Sequence, residues 1–195
     1  MGLIRNILAL IGLLSLLLFA VLAYKVQSVI ERVDTFDENA LNIYSEFIQK
    51  VYHSSSAIDA MVYKVPVKDG LLADDVDMLI RSNANQLNIK NVGELFLSQE
   101  VEAITGKRFR YIKIYMLCDA MTAASIVNYS DAFSSILPCR LSLIEDQQGR
   151  LWIYTLDLDL MIHGGKPIPP ALKSEALKVW QTLQTIMHRS AEGDF

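Results

Sequence analysis

The sequence predicts an α+β domain preceded by one N-terminal hydrophobic helix. The helix is indicated by the stretch from Ile7 to Tyr24, which contains no charged residue. Behind it, segments with strand periodicity alternate with segments of helical periodicity. A tight turn signal joins two of the strand segments into a hairpin. Strands interleaved with helices favour a mixed or antiparallel sheet with helices packed on one face.

The N-terminal stretch has three interpretations. A buried core helix is disfavoured, because the stretch has no polar stripe to face solvent. A cleaved signal peptide would use Arg5 as its basic flank and end after Ala23. An uncleaved signal anchor is favoured, because the apolar region exceeds the roughly 7–15 residues of a signal peptide. We therefore expect residues 1–24 to be a transmembrane signal anchor that contacts the lipid bilayer through residues 3–24, about the length that crosses a hydrocarbon core.

The charges flanking the stretch set the expected orientation. Arg5 precedes it, while Lys25 and Arg32 follow it. Acidic residues count little in the positive-inside rule, so the bias is small. We expect a single-pass protein whose soluble domain is periplasmic, or otherwise extracytoplasmic. The net charge of −4 and the lack of a basic stripe exclude nucleic acid as the expected partner.

Residues 25–57 are predicted to form an amphipathic helical connector. Apolar residues recur there at helical spacing, and the segment 33–39 is the expected break between two helices. The serines at 54–56 end the run.

Residues 58–195 are predicted to form the domain. Its first half alternates strand 60–65, helix 71–87, strand 91–97 and helix 98–104. Pro66 places the first strand at a sheet edge, because proline cannot donate a ladder hydrogen bond. Ser98 is the expected N-cap of the short helix, and Gly106 is expected to end it.

The second half begins with the clearest strand, 109–117. A helix over 120–128 follows, capped by Asp119, then a hairpin of strands 139–145 and 151–156 and a last helix over 171–189. Alternation along the clearest strand separates an apolar face from a face with Tyr111, Lys113 and Tyr115. We expect the Tyr111 face, or the long helices, to meet a protein partner.

Sulfur side chains gather where that strand becomes a helix. Met116, Cys118 and Met121 could bind Cu(I) or offer an axial ligand to a haem. The alternative is ordinary packing, since methionine and free cysteine also fill apolar cores. Cys118 at a helix start could also be a reactive thiol, although Asp119 beside it opposes thiolate formation. A disulfide between Cys118 and Cys139 needs an exported domain, and parallel strands would hold the two sulfurs apart.

Histidines and carboxylates form no recognisable motif. The three histidines, His53, His163 and His188, are widely spaced. His163 is the strongest candidate metal ligand among them because it lies close to Met161. Arg140, Glu145 and His163 are candidate site residues if their side chains reach a pocket beside Cys118. The sequence contains no phosphate loop, nucleophile elbow or dinucleotide fingerprint. Enzymatic activity is therefore undecided, with the balance against it.

The segment from Arg108 to Phe195 resembles the domain of unknown function 302 (DUF302). The resemblance is carried by YMLCDAM, by ILPCRLSLIEDQQGRLWIYTLDLDLMI and by the closing SAEGDF. Leu137-Pro138-Cys139-Arg140 matches the family pattern, whereas Asp119-Ala120 replaces the Asn-Pro that follows the first cysteine. The resemblance implies a curved sheet packed by helices, and an exported or membrane-linked protein of the kind found in sulfur-oxidising bacteria. It implies no activity.

Two functions are therefore expected. The first is a membrane-anchored, non-catalytic accessory or binding protein that serves as a subunit of a respiratory or sulfur-oxidation complex. It would bind a protein partner or form a homo-oligomer. The alternative is a redox protein that binds a metal, haem or sulfur species through Cys118, Cys139 and neighbouring methionines. No cofactor is predicted, although copper or haem would suit the second function.

Overall fold

The computed structural model describes residues 2–195. Its helices are α1 (Gly2–Val33), α2 (Ala40–Ser54), α3 (Ala57–Ala60), α4 (Ala73–Gln86), α5 (Leu97–Thr105), α6 (Ala120–Tyr129), α7 (Asp159–His163) and α8 (Pro170–Glu192). Its strands are β1 (Val62–Pro66), β2 (Lys90–Leu95), β3 (Ile112–Cys118), β4 (Cys139–Glu145) and β5 (Leu151–Leu156), and a 3₁₀ helix spans Asp131–Ile136.

The N-terminal helix α1 is one continuous element of 32 residues, and none of them is buried. It is long and apolar enough to cross a membrane, a property that a signal sequence shares. The predicted boundary between anchor and connector at residues 24 and 25 is not a break in the helix, because α1 continues to Val33. The expected break over 33–39 is confirmed by the turn that separates α1 from α2.

The five strands form one antiparallel sheet in the order β1-β5-β4-β3-β2. The predicted α+β class is confirmed, and of the two expected sheet types the antiparallel one is present. The hairpin strands β4 and β5 have the predicted bounds. Pro66 ends the edge strand β1, as its missing N–H predicts.

The core lies between the sheet and the helices α4 and α8. The buried sheet residues Val65, Tyr115, Leu117, Leu141, Leu143 and Ile153 face this layer. From the helices, Val76 and Ile80 of α4 and Trp180 and Leu183 of α8 complete the core. Each fully buried aliphatic side chain contributes about 1.5–3 kcal/mol to the free energy of folding, so this layer is the main source of stability.

The start of α5 differs from the prediction. Phe96, not Ser98, occupies the N-cap position. The Ser98 hydroxyl instead accepts a hydrogen bond from the Ile112 backbone N–H at 3.3 Å. Ser98 therefore ties α5 to the first residue of β3, while Gly106 ends the helix in the left-handed conformation as expected.

Candidate functional site: a sulfur-lined cavity and an open sheet face

The two cysteines meet at one end of the sheet. Cys118 ends β3 and Cys139 begins β4, and the register pairs Cys139 with Leu117. Because β3 and β4 are antiparallel neighbours, the end of one lies beside the start of the other. The sequence alternative with parallel strands and separated sulfurs is therefore wrong.

The local structure follows from the sequence. The side chain of Asp119 accepts a hydrogen bond from the Thr122 backbone N–H at 2.9 Å, which confirms the predicted cap of α6. This cap turns the chain away from the sheet immediately after Cys118. Between the end of β3 and the start of β4, α6 and the 3₁₀ helix therefore form a cover over the two cysteines.

Under this cover lies an apolar cavity of about 50 Å³. Cys118, Cys139 and Met161 line it, and its remaining wall is mostly aliphatic and aromatic, with Ile126 and Phe133 among the contributors. We call this the sulfur-lined cavity. All three sulfur side chains are half-buried.

Both cysteines are free thiols. Burial, reinforced by the negative charge of Asp119, raises the pKa of Cys118. Burial and the neighbouring Cys118 raise the pKa of Cys139 to about 11. Both groups are therefore protonated at neutral pH, which is the opposite of an activated nucleophile.

The methionines named from the sequence do not join this cavity. Met116 lies opposite Gly93 of β2, and its methyl group would be 2.7 Å from a Cβ placed there, so Met116 packs over the glycine. Met121 is 79% exposed on α6. Neither lines the sulfur-lined cavity, whereas Met161 does. Met161 was not among the predicted ligands, because its approach to the cysteines depends on how α7 follows β5.

The three polar candidates also lie elsewhere. Arg140 projects from β4 on the face away from α4 and α8. Glu145 accepts a hydrogen bond from the Tyr111 backbone N–H at 3.2 Å. The imidazole of His163 binds the carboxylate of Asp37, with 3.1 Å between Nδ1 and Oδ1. Within residues 2–195 none of the three lines the sulfur-lined cavity.

Asp37 fixes the turn after α1 to the domain. The carboxylate is buried and also accepts a hydrogen bond from the ammonium group of Lys173, at the start of α8. Burial alone would raise the pKa of Asp37, but hydrogen bonds from Lys173, Asn39 and His163 together lower it to about 2. His163 is thus a partner in a structural contact between the connector and the domain.

A buried ion network replaces the partner surface expected at Tyr111, Lys113 and Tyr115. Lys113 is only 5% exposed and Tyr115 is fully buried, so this part of the prediction is wrong. The Lys113 ammonium lies 2.9 Å from a carboxylate oxygen of Asp77 and 3.0 Å from one of Glu94. Burial, then the hydrogen bond to Asp77, raises the pKa of Tyr115. Carboxylates from α4 and β2 thus neutralise the buried Lys113. Strand periodicity alone does not predict that this lysine lies in the core.

The opposite face of the sheet is directed away from α4 and α8, and its side chains are half-buried or exposed; we call it the open face. One row across it runs through all five strands: Lys64, Tyr154, Ser142, Ile114 and Leu95. A second row contains Trp152, Ile144 and Ile112. A third contains Val62, Leu156, Arg140 and Met116.

The charged strand residues of the open face are cations. The Lys64 ammonium lies 5.4 Å from the ring centre of Trp152 and 5.9 Å from that of Tyr154. Arg140 is the next cation, and it lines a groove of about 210 Å³ together with Tyr154 and Ser142. Among the described strand residues whose side chains alternate onto this face, none is a carboxylate. The strand residues of the open face are therefore apolar, aromatic and cationic, and carboxylates border them at Trp152 (Asp146) and at Lys64 (Glu46 and Asp59).

Comparison with known proteins agrees with this fold. The family described as "Domain of unknown function DUF302" matches residues 63–190, and the chain belongs to that family. A crystal structure of an uncharacterized conserved DUF302 protein from Bacillus stearothermophilus is similar, with a TM-score of 0.53 and 19% identity. The alignment covers 67% of this chain and 98% of the other. No curated protein matches the sequence. The helices α1, α2 and α3 precede the matched residues.

Proposed function

We propose that the chain is a membrane-anchored, non-catalytic accessory protein that presents its open face to an acidic partner protein. The observation that carries the proposal is α1, an apolar helix of 32 residues of which none is buried. An apolar helix that finds no partner in its own domain is stable only in a bilayer or against another chain.

A non-catalytic role is supported by the engagement of the titratable groups. Lys113 is held by Asp77 and Glu94, and the hydroxyl of Tyr63 lies 2.7 Å from Nε2 of His188. Asp146 accepts hydrogen bonds from Gln148 and Arg150 and from the Trp152 indole, which organises the hairpin turn. These side chains are committed to the fold, so they are poor candidates for proton transfer.

The open face supports the choice of partner. Half-buried aromatic side chains flanked by cations suit a partner with apolar and acidic side chains, because complementary charge speeds association and fixes orientation. As the family resemblance implies, we place the partner in a respiratory or sulfur-oxidation complex of the same membrane. The domain is then on the periplasmic or other extracytoplasmic side.

The anchor and its orientation are tested by fractionation of cells that express the full chain. An intact chain that resists alkaline extraction from membranes, and whose domain is digested by protease added to spheroplasts, supports the proposal. A soluble chain that begins at Tyr24 would show cleavage after Ala23 and contradict the anchor.

The partner surface is tested by a photo-crosslinking residue placed at Ser142, in the middle of the open face. We expect one adduct with a defined membrane protein, lost in Arg140→Glu and Lys64→Glu. Lys178→Glu, an exposed charge reversal on α8, is the matched control and should retain the adduct. Monomer alone, or an adduct insensitive to the two reversals, would contradict the proposal.

A second candidate function, binding of a metal or a sulfur species, is favoured by the position of both thiols on one cavity. A volume of about 50 Å³ holds a single ion or a few atoms and excludes a haem macrocycle.

A further inference from the structure

We propose that the sulfur-lined cavity is a binding site for one monovalent soft metal ion, Cu(I), with Cys118, Cys139 and Met161 as its ligands. This inference rests on the second candidate function and names its ligand class. The site differs from the one suggested by the sequence, since Met161 takes the place of Met116 and Met121.

The ligand set is what selects the metal. Thiolate and thioether sulfurs are soft donors and favour Cu(I), zinc or iron–sulfur clusters. An iron–sulfur cluster needs about four protein ligands, usually cysteines, and the chain contains two. A structural zinc site needs about four nitrogen, oxygen or thiolate ligands, and a thioether is not among them. Cu(I) is stable with two or three sulfur ligands, which is the number that this cavity supplies.

The wall of the cavity also favours an ion that needs few ligands. Apart from the two thiols, its polar contributors are Asp119 and Thr122. One Asp119 carboxylate oxygen already accepts the hydrogen bond that caps α6. A divalent ion such as Zn(II) would lose its water shell here and find fewer than the about four donors that it prefers. Cu(I) needs only the two or three sulfurs that line the cavity.

Binding is a proton exchange. Each thiol gives its proton to solvent as its sulfur bonds to the metal, and copper remains in the +1 state throughout. Metal coordination deprotonates a thiol that is otherwise protonated. Affinity should therefore rise with pH, with release of two protons per ion.

The test is a titration of the full chain in detergent, without oxygen, with Cu(I) held by a coloured chelator. We expect one Cu(I) per chain and no stable Zn(II) complex under the same conditions. Cys118→Ser should abolish the binding, and Met161→Leu should weaken it by about 10–100-fold. Met121→Leu and Met116→Leu are matched controls that remove a thioether outside the cavity and should leave the affinity unchanged.

Three results would overturn the inference. The first is Cu(I) binding that the Cys118→Ser/Cys139→Ser double variant retains, and the second is Zn(II) binding equal to that of Cu(I). The third is absence of Cu(I) binding in a protein whose two thiols are free by titration with a thiol reagent. In that last case, mass spectrometry after incubation with polysulfide tests whether the cavity binds a sulfur species instead. Added sulfur on Cys118 or Cys139 would overturn the Cu(I) inference but keep the second candidate function. No added sulfur would overturn both the inference and the second candidate function. Circular dichroism of each variant separates loss of binding from loss of fold.

Discussion

Asp37 and His163 are hydrogen bonded across 126 positions of the sequence, with 3.1 Å between Oδ1 and Nδ1. The contact joins the turn behind α1 to the end of α7. The backbone N–H of Asp37 also donates to the Gly165 carbonyl at 2.8 Å. The first helix is therefore connected to the domain by a structured joint between Asp37 and residues 163–165.

Replacement of Asp37 by asparagine should lower the free energy of unfolding at pH 7 by about 2 kcal/mol, because the pKa of Asp37 in the fold is about 2 and its ordinary value is 3.8. A lowered carboxyl pKa stabilises the fold above the unfolded-state value. This contribution is lost as pH falls from about 4 to 2. Urea unfolding at pH 7 and near pH 2 measures both effects. Asp34→Asn, at an exposed position in the same turn, should change little, and an equal loss in both variants would contradict the assignment.

Gly164 and Gly165 should respond differently to alanine. A Cβ at Gly164 would lie 2.1 Å from the Leu160 carbonyl oxygen, a backbone atom that cannot move aside cheaply. At Gly165, no atom lies within 4 Å of the added carbon. We expect Gly164→Ala to cost about 1–3 kcal/mol of folding free energy and Gly165→Ala to cost much less. Thermal unfolding of the two variants side by side makes the comparison, and similar melting temperatures would refute it.

Lys113→Met should destabilise the domain by about 1–3 kcal/mol, because it removes the buried cation that Asp77 and Glu94 share and leaves them only the more exposed Arg81. Lys107→Met, at an exposed position before β3, is the control and should be nearly neutral. If Asp77→Asn is added to Lys113→Met, part of the stability should return, because Arg81 then balances the remaining carboxylate of Glu94. Denaturant unfolding of the three variants gives the comparison. A double variant less stable than Lys113→Met would contradict the network.

The two thiols should react slowly and in a fixed order. With its pKa at about 11, Cys139 has about 100-fold less thiolate at pH 8 than a thiol of pKa 9. Iodoacetamide should therefore modify Cys118 first, and the rate at Cys139 should rise up to pH 10 and above. Mass spectrometry of peptides from native and unfolded protein follows each site. Modification of Cys139 at the unfolded rate at pH 8 would refute its burial.

The sequence predicted local structure, such as turns and helix caps, better than contacts between distant segments. The bounds of β4 and β5 followed from the turn at Asp146–Gly149, where side-chain and glycine chemistry act within a few residues. The cap at Asp119 was predicted for the same reason. By contrast, Lys113 was assigned to the outside from its charge, since nothing in its own segment reveals that Asp77 and Glu94 come to meet it.

The candidate site was predicted in part. Both cysteines were named, but their proximity depends on antiparallel pairing of β3 with β4, which periodicity does not specify. Met161 was passed over and Met116 preferred, because sequence distance to Cys118 was the only measure at hand. The glycine at position 93 that receives Met116 belongs to another strand. Contacts across strands and between connector and domain are set by the packing of the whole core.

The continuation of α1 beyond Tyr24 has a consequence for how a tethered domain searches for its partner. Residues 25–33 add about 13 Å of helix at 1.5 Å per residue, and the structured joint at Asp37 follows directly. With α1 in a bilayer, the domain would be held close to the membrane surface by a short rigid helix. Its search would be confined to a thin layer above the lipid, where a shared surface raises the local concentration of neighbours without any new contact. Even a weak attraction of the open face would then suffice for residents of the same membrane, while freely diffusing proteins with the same acidic patch would rarely be retained.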